Sequence, residues 1–125
     1  MGEAGGFQNC SAIRSHLHQV LRERGLEPEP RDPFYYPTAS AYRKLLESHG
    51  FTVESCTLVP RPTPLPTNLV GWLRTFCRKS FLADLDDEAA EDVMEEVSRR
   101  CEPDCRDEEG KDHAMYVRLR FSAHL

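Results

Sequence analysis

Phe34-Tyr35-Tyr36-Pro37, Gly50-Phe51-Thr52-Val53-Glu54, Arg61-Pro62-Thr63-Pro64-Leu65 and Gly71-Trp72-Leu73-Arg74-Thr75-Phe76 follow one another between residues 34 and 77, and their reading decides the fold. After Tyr36-Pro37, Thr38 or Ser40 starts a helix whose buried stripe is Tyr42, Leu45 and Leu46, and Gly50 stops it. Phe51, Val53, Ser55, Thr57 and Val59 then alternate with Thr52, Glu54, Cys56 and Leu58, the period of a strand. Pro60, Pro62, Pro64 and Pro66 are expected to terminate that strand. Beyond them, Leu69, Trp72, Leu73, Phe76 and Cys77 recur at helical spacing.

Working outward, Gly5-Gly6 makes a turn, and Asn9 or Ser11 is placed to cap a helix with Ile13, Leu17, Val20 and Leu21 on one face, ended by Gly25. Leu26 to Pro37 carries Pro28, Pro30, Pro33 and Pro37, which predicts an extended surface crossing. On the other side, a helix from about Asp86 uses Ala90, Val93, Met94 and Val97. Cys101 to His113 reads as a charged loop. Met115, Val117, Leu119, Phe121 and Ala123 alternate with Tyr116, Arg118, Arg120, Ser122 and His124 as a closing strand. The isolated chain is therefore expected to be α+β, one partial domain over residues 1–125.

Length and charge narrow the function. At 125 residues, with 39% hydrophobic and 30% charged residues, the chain suits one soluble globular unit with a modest core. No apolar run approaches the roughly 20 residues of a membrane span, and Met1–Asn9 lacks the build of a signal peptide, so a cytoplasmic protein is expected. Residues 84–112 hold 14 acidic and 4 basic side chains, a solvated helix face and loop, and no basic face suits nucleic acid. Cys10, Cys56, Cys77, Cys101 and Cys105 lack the spacing of a disulfide framework. Cys101 and Cys105 alone do not complete a tetrahedral zinc site, and His16 and His18 point to different faces of their helix, so no metal is expected.

Glu3-Ala4-Gly5-Gly6-Phe7-Gln8-Asn9, followed by Phe34-x-x-Pro37, Gly50-Phe51, Arg61-Pro62-Thr63-Pro64-Leu65 and Gly71-Trp72-Leu73, resembles the C-terminal half of class I, Rossmann-like S-adenosylmethionine-dependent small-molecule methyltransferases. The resemblance runs from Glu3 to about Ala123; Ala4 departs from it, since the family carries a larger residue there. It implies the end of a mostly parallel doubly wound sheet whose last strand runs antiparallel beside the sixth, with Glu3-Ala4 as the end of the fifth strand. It further implies S-adenosylmethionine as cofactor, a small-molecule methyl acceptor, and Gly5 and Gly6 facing the cofactor at the carboxyl edge of the sheet. Asn9, Tyr35, Tyr36 and Trp72 become the candidate walls of the acceptor pocket.

Each of these positions also has a plain structural use. Gly5-Gly6 suits a turn with unusual backbone angles, Asn9 a helix cap, Tyr35 and Tyr36 a cover for the core, Trp72 the apolar stripe of its helix, and Arg118 and Arg120 the solvated side of an edge strand. No Gly-x-Gly turn and no known catalytic constellation occurs, so no catalytic residue is identified. The chain alone is not expected to bind the cofactor or to be competent in methyl transfer. It is expected to act as a fragment or as one subunit of a split enzyme, completed by a complementing half or self-associating. The alternative is a non-catalytic interaction module that associates through an exposed sheet edge.

Overall fold

A computed structural model describes residues 1–125, which run β1 (Gly2–Gly5), α1 (Ser11–Glu23), a 3-10 turn (Glu29–Arg31), α2 (Ala39–Ser48), β2 (Thr52–Pro64), α3 (Leu69–Phe76), α4 (Asp87–Cys105) and β3 (His113–His124). The chain forms two compact units. One, the sheet unit, takes Met1–Cys10, Tyr35–Pro62 and Met115–Leu125; the other, the helical unit, takes Ser11–Phe34 and Thr63–Ala114.

In the sheet unit the strands lie in the order β1-β3-β2 in an antiparallel sheet. The closing strand is thus the central one. Gly2 stands opposite Phe121, Glu3 opposite Arg120, Ala4 opposite Leu119 and Gly5 opposite Arg118. Glu3 therefore shares a face with Arg118 and Arg120, and its carboxylate accepts from the Nε of each at 2.9 Å. These two arginines do not guard an edge strand, as the sequence suggested; β3 has a neighbour on each side, and the charges are used across the β1–β3 pair. The stripe of α2 is also less covered than expected. Thr38 caps the helix by accepting from the Ala41 N–H at 3.1 Å, and Gly50 ends it at a φ of 88°. Tyr42 packs its ring on Phe121 at 5.1 Å, but Leu45 is 42% exposed and no residue of α2 is fully buried.

β2 does not stop at Pro60 but runs to Pro64. The reason is parity. Successive N–H groups of a strand point to opposite edges, so Pro60, Pro62 and Pro64 all withhold a donor on one and the same edge. β2 is an edge strand, and the Leu65 N–H, on the opposite parity, is the one that donates to Asp112 O at 2.9 Å. The prolines sit where no donor is wanted.

The helical unit carries its own core. Ile13, Leu17, Val20 and Leu21 of α1 meet the Ala90, Val93, Met94 and Val97 face of α4, and all are at most 2% exposed. Burying side chains of this size stabilises by about 1.5–3 kcal/mol each. Leu69, Trp72 and Leu73 add the face of α3. Around this core Arg100 reaches Glu23 at 2.7 and 2.6 Å, Arg24 reaches Asp92 at 2.6 Å, and His16 meets Asp104 at 2.8 Å. Asn68 and Asp86 cap α3 and α4, accepting from Gly71 N at 2.9 Å and Ala89 N at 2.8 Å.

Two local expectations change. The proline-rich segment is not extended throughout, because Pro28 and Pro30 seed the 3-10 turn at Glu29–Arg31, their fixed φ suiting a first turn. Nor is Cys101–Cys105 a loop: α4 continues through Pro103 to Cys105, burying both thiols at 0% and 3% exposure. A proline so near the helix end costs little, since the buried thiols and the Arg106–Asp112 contact hold the last turn in place. A hydrogen bond to Cys105, reinforced by burial, pushes the Cys101 thiol up, so it stays protonated.

Candidate functional site

The turn after β1 is where the structure gathers most of the singled-out residues. Gly5 and Gly6 are both needed there, though not for left-handed angles. A Cβ on Gly5 would lie 2.7 Å from Tyr36 Cε1 and 3.2 Å from Asn9 Nδ2; one on Gly6 would lie 2.4 Å from Leu58 Cδ2 and 3.2 Å from Leu119 Cβ. The first glycine lets a tyrosine ring lie against the strand end, and the second lets β2 and β3 side chains close over the backbone.

The positive φ angles fall instead on Gln8, at 68°, and Cys10, at 50°. Side chains other than glycine rarely sit there. The surroundings hold them: Gly6 N donates to Val117 O at 2.9 Å, Asn9 N to Gly6 O at 2.9 Å and Cys10 N to Met115 O at 3.0 Å. Asn9 completes the clasp, its Oδ1 accepting from the Val117 N–H at 2.7 Å. It is 4% exposed and caps no helix. Its carboxamide replaces the ladder partner that β3 loses where β1 turns away. Phe7 N donates to Pro37 O at 2.9 Å, which joins this turn to the Tyr35-Tyr36-Pro37 segment.

Gly5, Gly6, Asn9 and Tyr36 are thus brought into one cluster, with Tyr36 half-buried over Gly5. Tyr35 is 65% exposed and Phe7 48% exposed, so the cluster presents aromatic surface to solvent at the carboxyl end of β1. Trp72 belongs to the helical unit, where it is buried on α3 against Phe76 at 5.0 Å between ring centroids. The electrostatics of the neighbouring sheet face come from Glu3: hydrogen bonds from Arg118 and then Arg120 hold its carboxyl below the usual range. Sequence reading missed Gln8 and the clasp role of Asn9, because backbone strain and a side chain's long-range partner leave no local pattern.

Elsewhere, a concavity lined by Asp86, Glu88, Glu91, Asp92 and Glu95 and another lined by Gly25, Pro30, Arg31, Ser80 and Asp84 lie in the helical unit, and none of the candidate residues lines either. No group of three or more His, Cys, Asp or Glu side chains is arranged to hold a metal ion, and no helix is long and apolar enough to cross a membrane.

No protein-family model matches the chain. It is similar to the uncharacterized methyltransferase C70.08c of Schizosaccharomyces pombe (strain 972 / ATCC 24843), with 31% identity over 129 aligned residues that take in 99% of this chain and 48% of the relative. The chain therefore spans about half the length of the curated relative it matches.

Proposed function

We propose that the chain is the substrate-side, C-terminal half of a class I, Rossmann-like S-adenosylmethionine-dependent methyltransferase acting on a small molecule. The observation that carries the reading is the strand order β1-β3-β2, in which the closing strand runs antiparallel inside the sheet. In the sheet of such an enzyme the last strand runs antiparallel beside the sixth. On this reading β1 is the end of the fifth strand, β2 the sixth and β3 the last. Similarity to a methyltransferase over 99% of the chain supports it independently.

The division of labour follows from the chemistry. Methyl transfer requires an acceptor nucleophile held in line with the sulfonium methyl, and most of the acceleration comes from that alignment. In this fold the nucleoside part of the cofactor is held by a glycine-rich turn after the first strand and an acidic residue ending the second. These 125 residues contain no Gly-x-Gly turn. The cluster of Gly5, Gly6, Asn9 and Tyr36, with Tyr35 exposed beside it, suits the acceptor's side: a rigid turn, a phenol and aromatic surface. Trp72, buried in α3, is in this reading a packing residue. The chain alone does not carry out transfer; it contributes the wall against which an acceptor is held.

Calorimetric titration of S-adenosylmethionine into the purified chain tests this. No heat of binding is expected up to millimolar cofactor. Micromolar binding would show that the chain holds a cofactor site of its own and would overturn the assignment to a substrate-side half.

A further inference from the structure

All five cysteines are buried, free thiols. Cys101 and Cys105 are distinguished by their placement: they lie one turn apart on α4, at 0% and 3% exposure, and the Cys101 thiol donates to the Cys105 sulfur. That hydrogen bond lowers the Cys105 thiol below its ordinary range while it raises Cys101, so the pair gives up its first proton at Cys105. The function proposed above uses neither residue.

The turn that carries the pair lacks a rung, because Pro103 has no N–H to offer the Arg99 carbonyl. What holds the turn lies just beyond it. Arg106 N donates to Glu102 O at 3.0 Å, and Arg106 Nε donates to Asp112 Oδ1 at 3.0 Å. Asp112, 5% exposed, is shared: its Oδ2 accepts from the Leu69 N–H at 3.1 Å, in the first turn of α3. One buried carboxylate thus ties the end of α4 to the start of α3.

We infer that Cys101 and Cys105 form a reversible redox pair, which a low-molecular-weight disulfide of the glutathione class closes into an intrahelical disulfide, drawing Arg106 off Asp112 and loosening the cap that Asp112 places on α3. Side chains four apart on a helix have Cβ atoms about 5–6 Å apart. A disulfide needs about 3.5–4.5 Å, so the bond closes only as the last turn tightens. Arg106 follows Cys105 directly and moves with it. A bond made under such strain is readily reduced, which makes the change reversible.

The chemistry balances in two exchanges. The Cys105 thiolate attacks one sulfur of the small disulfide, forming a mixed disulfide and expelling one small thiolate. Cys105 then no longer holds the proton on Cys101; the expelled thiolate takes it, and Cys101 Sγ attacks Cys105 Sγ and expels the second small thiolate, which is reprotonated from solvent as the first proton lost by Cys105 is returned. Two protein thiols are oxidised and one small disulfide is reduced to two thiols.

The test is to incubate the full native chain with oxidised glutathione, alkylate the remaining thiols, map the peptides by mass, and follow hydrogen exchange at Leu69. A Cys101–Cys105 disulfide is expected, with the Leu69 amide exchanging at least about tenfold faster, the scale of one charge-assisted hydrogen bond lost, and with both changes reversed by reduced glutathione. Cys105→Ser, which keeps a polar group in place of the thiol, is expected to show neither change. Pro103→Ala, which returns the missing donor and stiffens the turn, is expected to oxidise more slowly than the native chain. Thiols that react only in urea, a disulfide that involves another cysteine, a mixed disulfide that never closes, closure that leaves the Leu69 amide unchanged, or Pro103→Ala oxidising as fast as the native chain would each overturn the inference.

Discussion

Asn9 shows how one side chain holds the turn that organises the cluster. Its Oδ1 is the acceptor for the Val117 N–H, a donor that would otherwise point into the gap left as β1 bends away. Asn9→Ala leaves that donor without a partner in a site only 4% exposed, and the expected loss is about 1–3 kcal/mol, read by urea unfolding. Gln8 makes the opposite case, since its φ of 68° stores strain that glycine would not feel. Gln8→Gly should gain roughly 0.5–1 kcal/mol, the left-handed penalty less the added chain entropy. Both residues were in plain view, yet only their types were legible. An asparagine before a helix suggests a cap, and nothing local reveals that its partner is Val117, far along the chain. For Gly5 and Gly6 the need for glycine was legible, but its cause was close approach by Tyr36 and Leu58 and not a positive φ. Glu3 gives the pH prediction at this scale. Its carboxyl is held below the ordinary 4.5 by Arg118 and Arg120, so its contribution is present above that value and lost as pH falls through the lowered one. The stability difference between the native chain and Glu3→Gln should therefore be constant near neutrality and fall away in acid, as followed by thermal unfolding across pH; a difference that does not shrink as pH falls below the ordinary carboxylate range would contradict it.

At the scale of elements, periodicity gave the helices where one face is buried and misled where a special residue carries the geometry. α1 and the first turns of α4 follow the spacing of Ile13, Leu17, Val20 and Leu21 and of Ala90, Val93, Met94 and Val97. The end of α4 was hidden by Pro103, whose presence argues for a loop, although the buried pair Cys101 and Cys105 extends the apolar face beyond it. β2 was hidden in the same way, since alternating prolines look like a stop until the strand is known to lie at an edge. α2 shows the reverse: the apolar stripe is real in the sequence but half uncovered in the structure. Truncating these helices should separate the two cases. Leu17→Ala, in a fully packed site, is expected to cost about 2–5 kcal/mol, while Leu45→Ala should stay within about 0.5 kcal/mol. Chemical denaturation of the two variants reads both, and equal losses would mean that α2 is packed as tightly as α1.

Over the whole chain, stability is distributed by where apolar burial lies. The helical unit holds the packed faces of α1, α3 and α4 and the ion pairs of Arg24 and Arg100, whereas the sheet unit depends on ladder bonds, the Asn9 clasp and the Glu3 charge pair. Hydrophobic burial is the dominant favourable term and exposed, solvent-screened charge pairs add little, so the two units should not open together. Local opening is governed by the buried contacts that must be broken. Native-state hydrogen exchange is therefore expected to rank the amides: those of Leu17, Val20 and Val97 exchange last, by global unfolding, and those of β1 and α2 exchange first, by opening of the sheet unit alone. Adding denaturant should accelerate the first group steeply and the second only weakly, because little surface is exposed when the sheet unit opens. If β1 and α2 exchanged as slowly as α1 and α4, the two units would open together and the distribution of apolar burial would not govern local opening.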